Sequence, residues 1–418
     1  AERIVRLMRM LRGQLDRRER LYGDASATSV TEFRQLAGNA DEPRIVLLID
    51  NFPSFRDEWE IPSGRNEWYR VFQEIIGNGR QLGVHVVFTA DRPGSVPSSV
   101  TSGVQRRVVL RLADEMGYAT LDAPNDVLTE ASPPGRALVS SNETQLAVLG
   151  GSSVAAEQSE AMGRLAAEMR AAGASAAPRI PSLPAIVPID ELPQAAGSPL
   201  VLGLAEETLE PFALEPAGAF ALAGPPGSGR SSALRVIAER LFERGDMPVY
   251  YFGNKRSPLA VDARFAARAT AIEDATELAK LVREIVLDED AASRVAVIIE
   301  QLGDFLQTSA DGPLVDLVRA IKREDHFAVA EAESSSWVTS WPLFGEFKSA
   351  RRGLILQPDS TDGDVILKTS LPRLKRAEFP VGRGMLVSSG QAMRVQLALV
   401  GSSEEPSLAG VAAVPRGL

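Results

Sequence analysis

Short apolar runs that stop on an acid, a glycine or a polar amide recur along the chain, separated by stretches with apolar residues every three to four positions. "PRIVLLID" (Pro43 to Asp50), "VYYFG" (Val249 to Gly253), "SRVAVIIE" (Ser293 to Glu300), "HFAVAEA" (His326 to Ala332) and "GLILQ" (Gly353 to Gln357) read as buried strands. "SSALRVIAERLFERG" (Ser231 to Gly245) and "ATELAKLVREIVLDED" (Ala275 to Asp290) carry the helical spacing. Strands alternating with helices predict an α/β protein with a mainly parallel central sheet flanked by helices. In that class ligands sit in the loops that follow strands.

The pattern also repeats. "PRIVLLID" has its echo in "SRVAVIIE", "QRRVVLRLAD" (Gln105 to Asp114) in "ARRGLILQPD" (Ala350 to Asp359), and "PGRALVSSNETQLAVL" (from Pro134) in "VGRGMLVSSGQAMRVQLALV" (from Val381). Three echoes in one order at one offset of about 250 residues predict two copies of a single domain. The boundaries expected are 1–173 for the first copy, a Pro/Ala-rich linker over 174–198, and 199–418 for the second. Carrying the offset back from Gly224 places the first copy's equivalent loop upstream of Ala1, so the N-terminal part of that copy is expected to lie outside this chain.

That loop is the strongest chemical signal. "LAGPPGSGRSS" follows an apolar run and opens a helix, the setting of a phosphate-binding P-loop, G-x-x-x-x-G-K-[ST]. Gly224, Gly227 and Gly229 give the backbone freedom to approach phosphates. Ser228, Ser231 and Ser232 surround them, and Ser231 stands where the Mg²⁺-binding hydroxyl belongs. Arg230 replaces the lysine with a longer, planar, forked cation. The acid strands end on Asp50 and Glu300, the positions that organise Mg²⁺. The next residue, where a water-polarising glutamate is needed, is Asn51 in one copy and Gln301 in the other. An amide keeps the shape of a carboxylate but takes no proton. Two such replacements predict ATP and Mg²⁺ binding with little or no hydrolysis, and leave no confident catalytic residue.

Composition narrows the rest. Lys plus Arg number 45 against 55 Asp plus Glu, which argues against a surface built to bind nucleic acid. The absence of cysteine excludes thiolate chemistry and Cys-ligated metals. His85 and His326 lie in or beside apolar runs and are expected to be structural. No run has the 18 or more apolar residues of a spanning helix.

With these residues in view, the chain resembles the FtsK/SpoIIIE branch of RecA-like P-loop ATPases. "RNEWYRVFQEIIGNGRQLGVHVVFTADRP" (Arg65 to Pro93) follows the family's helix and sensor strand, and "RVVLRLADEMGYATLD" and "PPGRALV" continue its order. "ERLYGDASATSVTEFRQL" (Glu19 to Leu36) and the closing repeat are similar to the tandem ATPase modules of type VII secretion proteins of the EccC/EssC kind. The resemblance implies tandem RecA-like domains, a hexameric motor with later modules often degenerate, and Thr89 and Arg92 as sensor-like residues. It implies a membrane-anchored parent chain working at the cytoplasmic face. Its implied partners are the other ATPase modules, neighbouring subunits, and secreted WXG-type helical hairpins read through a C-terminal signal. The second copy's "FAVAEAESSS" lacks the Arg-Pro pair of the first.

Two other readings compete: a DNA translocase, and a nucleotide-free scaffold. The C-terminal "GSSEEPSLAGVAAVPRGL" offers no basic recognition helix for the former. Arg106 and Arg107, and their echoes Arg351 and Arg352, are candidate arginine fingers. "DEWEIPSGRNEW" (Asp57 to Trp68) and the Trp337/Trp341 stretch are candidate partner-binding elements, with core packing the competing use.

Overall fold

The computed structural model describes residues 2–38, 41–61, 65–288, 294–372 and 374–401. It divides into two compact units, Ala1–Pro181 and Ser182–Leu418.

The first unit begins with a helix, Glu2–Asp24, that buries Met8, Leu11, Leu15, Arg18 and Tyr22 at three-to-four spacing. Parallel strands β1 (Ile45–Ile49) and β2 (Val84–Phe88) form one sheet, in register from Ile45–Val84 to Ile49–Phe88. The helix Asn66–Asn78 connects them and lays Tyr69, Val71, Phe72 and Ile75 into an aromatic core with Phe52 and Trp59. An antiparallel sheet follows, β3 (Val108–Leu110), β4 (Arg136–Val139) and β5 (Asn142–Gln145). Val46, Leu48 and Val87, on β1 and β2, and Val108 and Leu110, on β3, are about half exposed or more.

Among its described residues the second unit is built on ten strands: β6 (Leu200–Ala205), β7 (Pro211–Leu214), β8 (Gly218–Gly224), β9 (Val249–Phe252), β10 (Ala267–Ala269), β11 (Ala296–Ile299), β12 (Phe327–Glu333), β13 (Gly353–Leu356), β14 (Arg383–Ser388) and β15 (Gln391–Leu397). Their order across the sheet is β10-β9-β11-β12-β8-β13-β14-β15-β6-β7. From β10 to β13 every pairing is parallel, and from β13 onward antiparallel. The parallel half has apolar side chains on both faces because helices cover both, so its strands read as continuous apolar runs rather than alternating ones. The helices Ile272–Leu287 and Asp311–Arg323 pack on one face and Arg230–Arg244 on the other.

The duplication reaches single hydrogen bonds. In the first unit Arg136 Nε donates to Gln145 Oε1 at 3.0 Å, and in the second Arg383 Nε donates to Gln396 Oε1 at 3.1 Å. Each arginine follows a left-handed glycine, Gly135 or Gly382, whose missing Cβ makes room for the glutamine amide. Between β12 and β13 lies β8; the first unit's counterparts of those strands, β2 and β3, belong to separate sheets with no such strand between them among the described residues.

The proline-rich stretch expected as a linker divides at Pro181. Beyond it, Val187, Ile189 and Leu192 enter the core beneath the Arg230–Arg244 helix, Pro188 pairs with Leu399, and the buried Arg240 donates to the Ile189 carbonyl at 2.8 Å. This segment is a fixed strap on the second unit. His326 is buried, and its Nδ1 accepts the Val295 N–H at 2.8 Å. Burial holds its pKa below the ordinary histidine value, in keeping with the neutral ring this bond requires.

Candidate functional site

The site forms where central strand β8 ends. Gly224 closes the strand, Gly227 and Gly229 take left-handed φ of 75° and 100°, and Gly229 caps the helix that Arg230 opens. Other residue types resist this path, which is why three glycines fall within six positions. A Cβ on Gly224 would lie 2.4 Å from Ser228 Oγ. Ser228 Oγ is itself fully buried and has no hydrogen-bond partner among the described residues. The loop is clamped from outside by the Gly382 N–H, which donates to the Ser228 carbonyl at 2.9 Å. An orphaned buried hydroxyl in a glycine cradle at a helix N-terminus suits a phosphate oxygen. Ser231 and Ser232, on the first turn, are exposed.

The acids come from the next two strands across the sheet, β12 and then β11. Glu300, just past β11, is buried, and its Oε2 accepts the Tyr251 hydroxyl at 2.5 Å. Burial first and this bond second push the Tyr251 phenol well above its ordinary pKa, so it remains a donor. Gln301 follows in a left-handed conformation, φ 52°, and Asn51 holds the same shape after β1, φ 59°. Both amides are exposed; Asn51 Oδ1 caps the next helix by accepting from the Ser54 N–H.

Arg230 does not point into open solvent. Its guanidinium pairs with Glu331 Oε1 at 2.7 Å, and the other oxygen of that carboxylate accepts the Gln301 N–H at 3.0 Å. Glu331 lies on β12, beside β8, and is about 2% exposed. Burial raises its pKa against the opposing pull of the Gln301 N–H and of Arg230.

In the first unit the matching place is held by Thr89. Its hydroxyl accepts the Asn51 N–H at 2.9 Å and donates to Asp50 Oδ1 at 2.6 Å. One residue thus fixes the turn after the acid strand in both units, as a neutral hydroxyl in one and a carboxylate in the other. Neither Glu331 nor Tyr251 stands out as a site residue by motif. The signal for Glu331 was its place in the repeat, with "AEAE" aligned on "FTAD".

The remaining candidates scatter. Arg92 is exposed, and its guanidinium meets the neighbouring Asp91 carboxylate at 3.3 Å. Arg106, Arg107 and Arg351 are exposed on their own units. Arg352, expected among the fingers, is instead tied to the turn before β8, donating to the Ala217 carbonyl at 2.6 Å and to that of Glu215, with its guanidinium over Phe220. Trp59 and Trp337 are fully buried core residues, which corrects their candidacy as binding surfaces; Trp341 is 38% exposed. Residues 62–64 of the acidic tryptophan loop, and the tail from 402 onward that bore on DNA binding, lie outside the described residues. No described helix is long and apolar enough to cross a membrane.

A phosphate cradle on the central strand of a mixed sheet, with an acid-ended strand two places along and the acid strand echoed in the first unit, defines tandem RecA-like P-loop NTPase domains. The chain is homologous to the EccC/EssC/YukB proteins of type VII secretion, of the FtsK/SpoIIIE type. It is 24% identical over 446 aligned residues to the ESX secretion system protein YukB of Bacillus subtilis (strain 168), an alignment covering 97% of this chain and 29% of YukB. ATPases 2 and 3 of Thermomonospora curvata EccC, solved in complex with a signal sequence peptide, share its fold with a TM-score of 0.71 at 20% identity, over 96% of this chain and 77% of that one. ATPases 2 and 3 of Geobacillus thermodenitrificans EssC do so with a TM-score of 0.68 at 18% identity, over 96% and 80%. No family model matches the chain.

Proposed function

We propose that this chain is a degenerate ATP-binding module of a hexameric FtsK/SpoIIIE-type motor in type VII secretion, holding nucleotide and contacting substrate and neighbouring subunits without efficient hydrolysis. The observation that carries this reading is the pair of amides, Asn51 and Gln301, held in the same left-handed turn after both acid strands. At that place a carboxylate would take the proton of an attacking water. An amide orients water but leaves the proton on it.

The loop from Gly224 to Ser232 would receive the phosphates, with main-chain N–H groups and the unpartnered Ser228 hydroxyl as donors. Ser231 and Glu300 are the oxygen donors that would hold Mg²⁺, which when bound neutralises phosphate charge. Thr89 and Arg92 fill the sensor positions of the first unit.

On this reading the module works at the cytoplasmic face, and the membrane enters only through other parts of the parent protein. A secreted helical hairpin of the WXG type, recognised through its C-terminal signal, is the proposed substrate. The signal peptide seen on the related EccC structure supports that assignment. DNA is a poor partner for a chain with ten more acidic than basic residues.

Titration with ATP and Mg²⁺ is expected to release heat and to raise the melting temperature of the second unit. A hundredfold excess over Kd adds about 2.7 kcal/mol. Gly227→Val is expected to remove both effects while leaving the fold, because its side chain would face open space yet resist the φ of 75°. No heat and no melting shift at millimolar ATP would overturn the proposal.

A further inference from the structure

The nucleotide site contains its own anion. Arg230 is the side-chain cation of the loop, and its guanidinium is engaged by Glu331 at 2.7 Å. That carboxylate is almost fully buried and anchored on its other oxygen by the Gln301 N–H. It projects from β12, whose pairing with β8 runs in register up to Glu333 beside Gly224. The carboxylate therefore reaches the helix N-terminus from the strand next to the cradle. Glu300 stands on the adjacent strand end, directly after the Ile299–Ala330 pair.

A triphosphate entering the cradle would meet two neighbouring carboxylates and a cation already neutralised. Repulsion between close like charges in a partly buried setting is strong, and a phosphate would have to share the Arg230 guanidinium with Glu331, which already engages its Nη1. The first unit has no such obstacle at the matching position, since the Thr89 hydroxyl secures the same turn without charge.

We infer that Glu331 is a built-in competitor for the P-loop, a carboxylate that occupies the phosphate-side cation and so sets how tightly, and when, the second unit holds nucleotide. This inference rests on the nucleotide-holding reading and adds the residue that regulates it. The lysine-to-arginine change in the loop and the carboxylate on β12 then form one device. The fork of Arg230 spans to a fixed acid across the strand, which a compact ammonium on a loop lysine does with less geometric selectivity. Any event that draws Glu331 away from Arg230 would release the guanidinium and switch the site toward binding.

The test is calorimetric titration of the whole chain with ATP and Mg²⁺. Glu331→Gln retains the size of the side chain and an oxygen to accept the Gln301 N–H, but carries no charge. It is expected to bind about tenfold more tightly than the unaltered chain. Adding Arg230→Met to Glu331→Gln is expected to abolish the gain, because the gain comes from the freed guanidinium. Glu331→Thr, which installs the residue of the first unit, is expected to behave like Glu331→Gln; with melting curves, it guards against a folding defect in either variant. Equal affinity in the unaltered chain and both folded single variants overturns the role of Glu331 while leaving nucleotide holding intact. A gain that survives Arg230→Met overturns the competition for Arg230. Absence of binding in all proteins at millimolar ATP overturns the nucleotide reading itself.

Discussion

Trp337→Ala is expected to destabilise the second unit by about 3–5 kcal/mol, the range for truncating a buried tryptophan. Trp337 is fully buried, stands edge-on to Phe344 at 4.9 Å between ring centres, and donates its indole N–H to the Ala332 carbonyl at 3.2 Å. The substitution removes the packing of the segment after β12 and orphans the bond that fixes that segment to the strand carrying Glu331. Trp337→Phe retains much of the volume and loses only the indole donor, so it is expected to cost less than half as much. Urea unfolding monitored by circular dichroism checks both. A loss below about 1 kcal/mol for the alanine variant would show the indole on a surface instead of in a core.

The second large effect is expected in the first unit. Arg18 is fully buried on the opening helix, donating to the Leu82 and Pro43 carbonyls at 2.8 Å each and pairing with Glu42 at 3.0 Å. It joins three chain segments distant in sequence through one guanidinium. Arg18→Ala leaves the buried Glu42 carboxylate dependent on the half-exposed Arg17 and is expected to cost about 3–5 kcal/mol. The double variant Arg18→Met with Glu42→Leu removes both charges together and is expected to be clearly more stable than Arg18→Ala alone. It should remain below the unaltered chain, because two carbonyls still lose their donor. Differential scanning calorimetry decides, and a double variant no better than the single would place the cost in the carbonyls alone.

Much of this architecture was legible in the sequence. The acid-ended apolar runs marked β1 and β11; β11 is buried along its length, and a strand covered on both faces must be continuously apolar, whereas β1 leaves Val46 and Leu48 exposed. The glycine loop marked the end of β8, because few other residues can follow its backbone. The duplication was visible in three echoes and extends to the Arg–Gln pairs at Arg136 and Arg383.

What escaped was whatever depends on strand order. Glu331 and Arg230 are about a hundred residues apart in the chain, and only the insertion of β8 between β12 and β13 brings them together. Read along the sequence, "FAVAEAE" marks the loss of an Arg-Pro motif, and nothing but its alignment on the first copy points to Glu331. The strap before β6 escaped for another reason. Proline-rich composition sets an extended backbone but does not say whether that backbone lies free or on a surface. The spacing of Leu183, Val187, Ile189 and Leu192 was the available clue, since a solvated linker has no need of buried aliphatics. Arg352 shows the converse error, a basic residue at a strand start read as available when it stitches its own turn.

Grip without cleavage is the central claim, and steady-state release of inorganic phosphate from ATP and Mg²⁺ by the purified chain tests it most directly. The expected result is a rate indistinguishable between the unaltered chain, Gln301→Ala and Arg230→Ala. Sustained phosphate release that either substitution abolishes would contradict it.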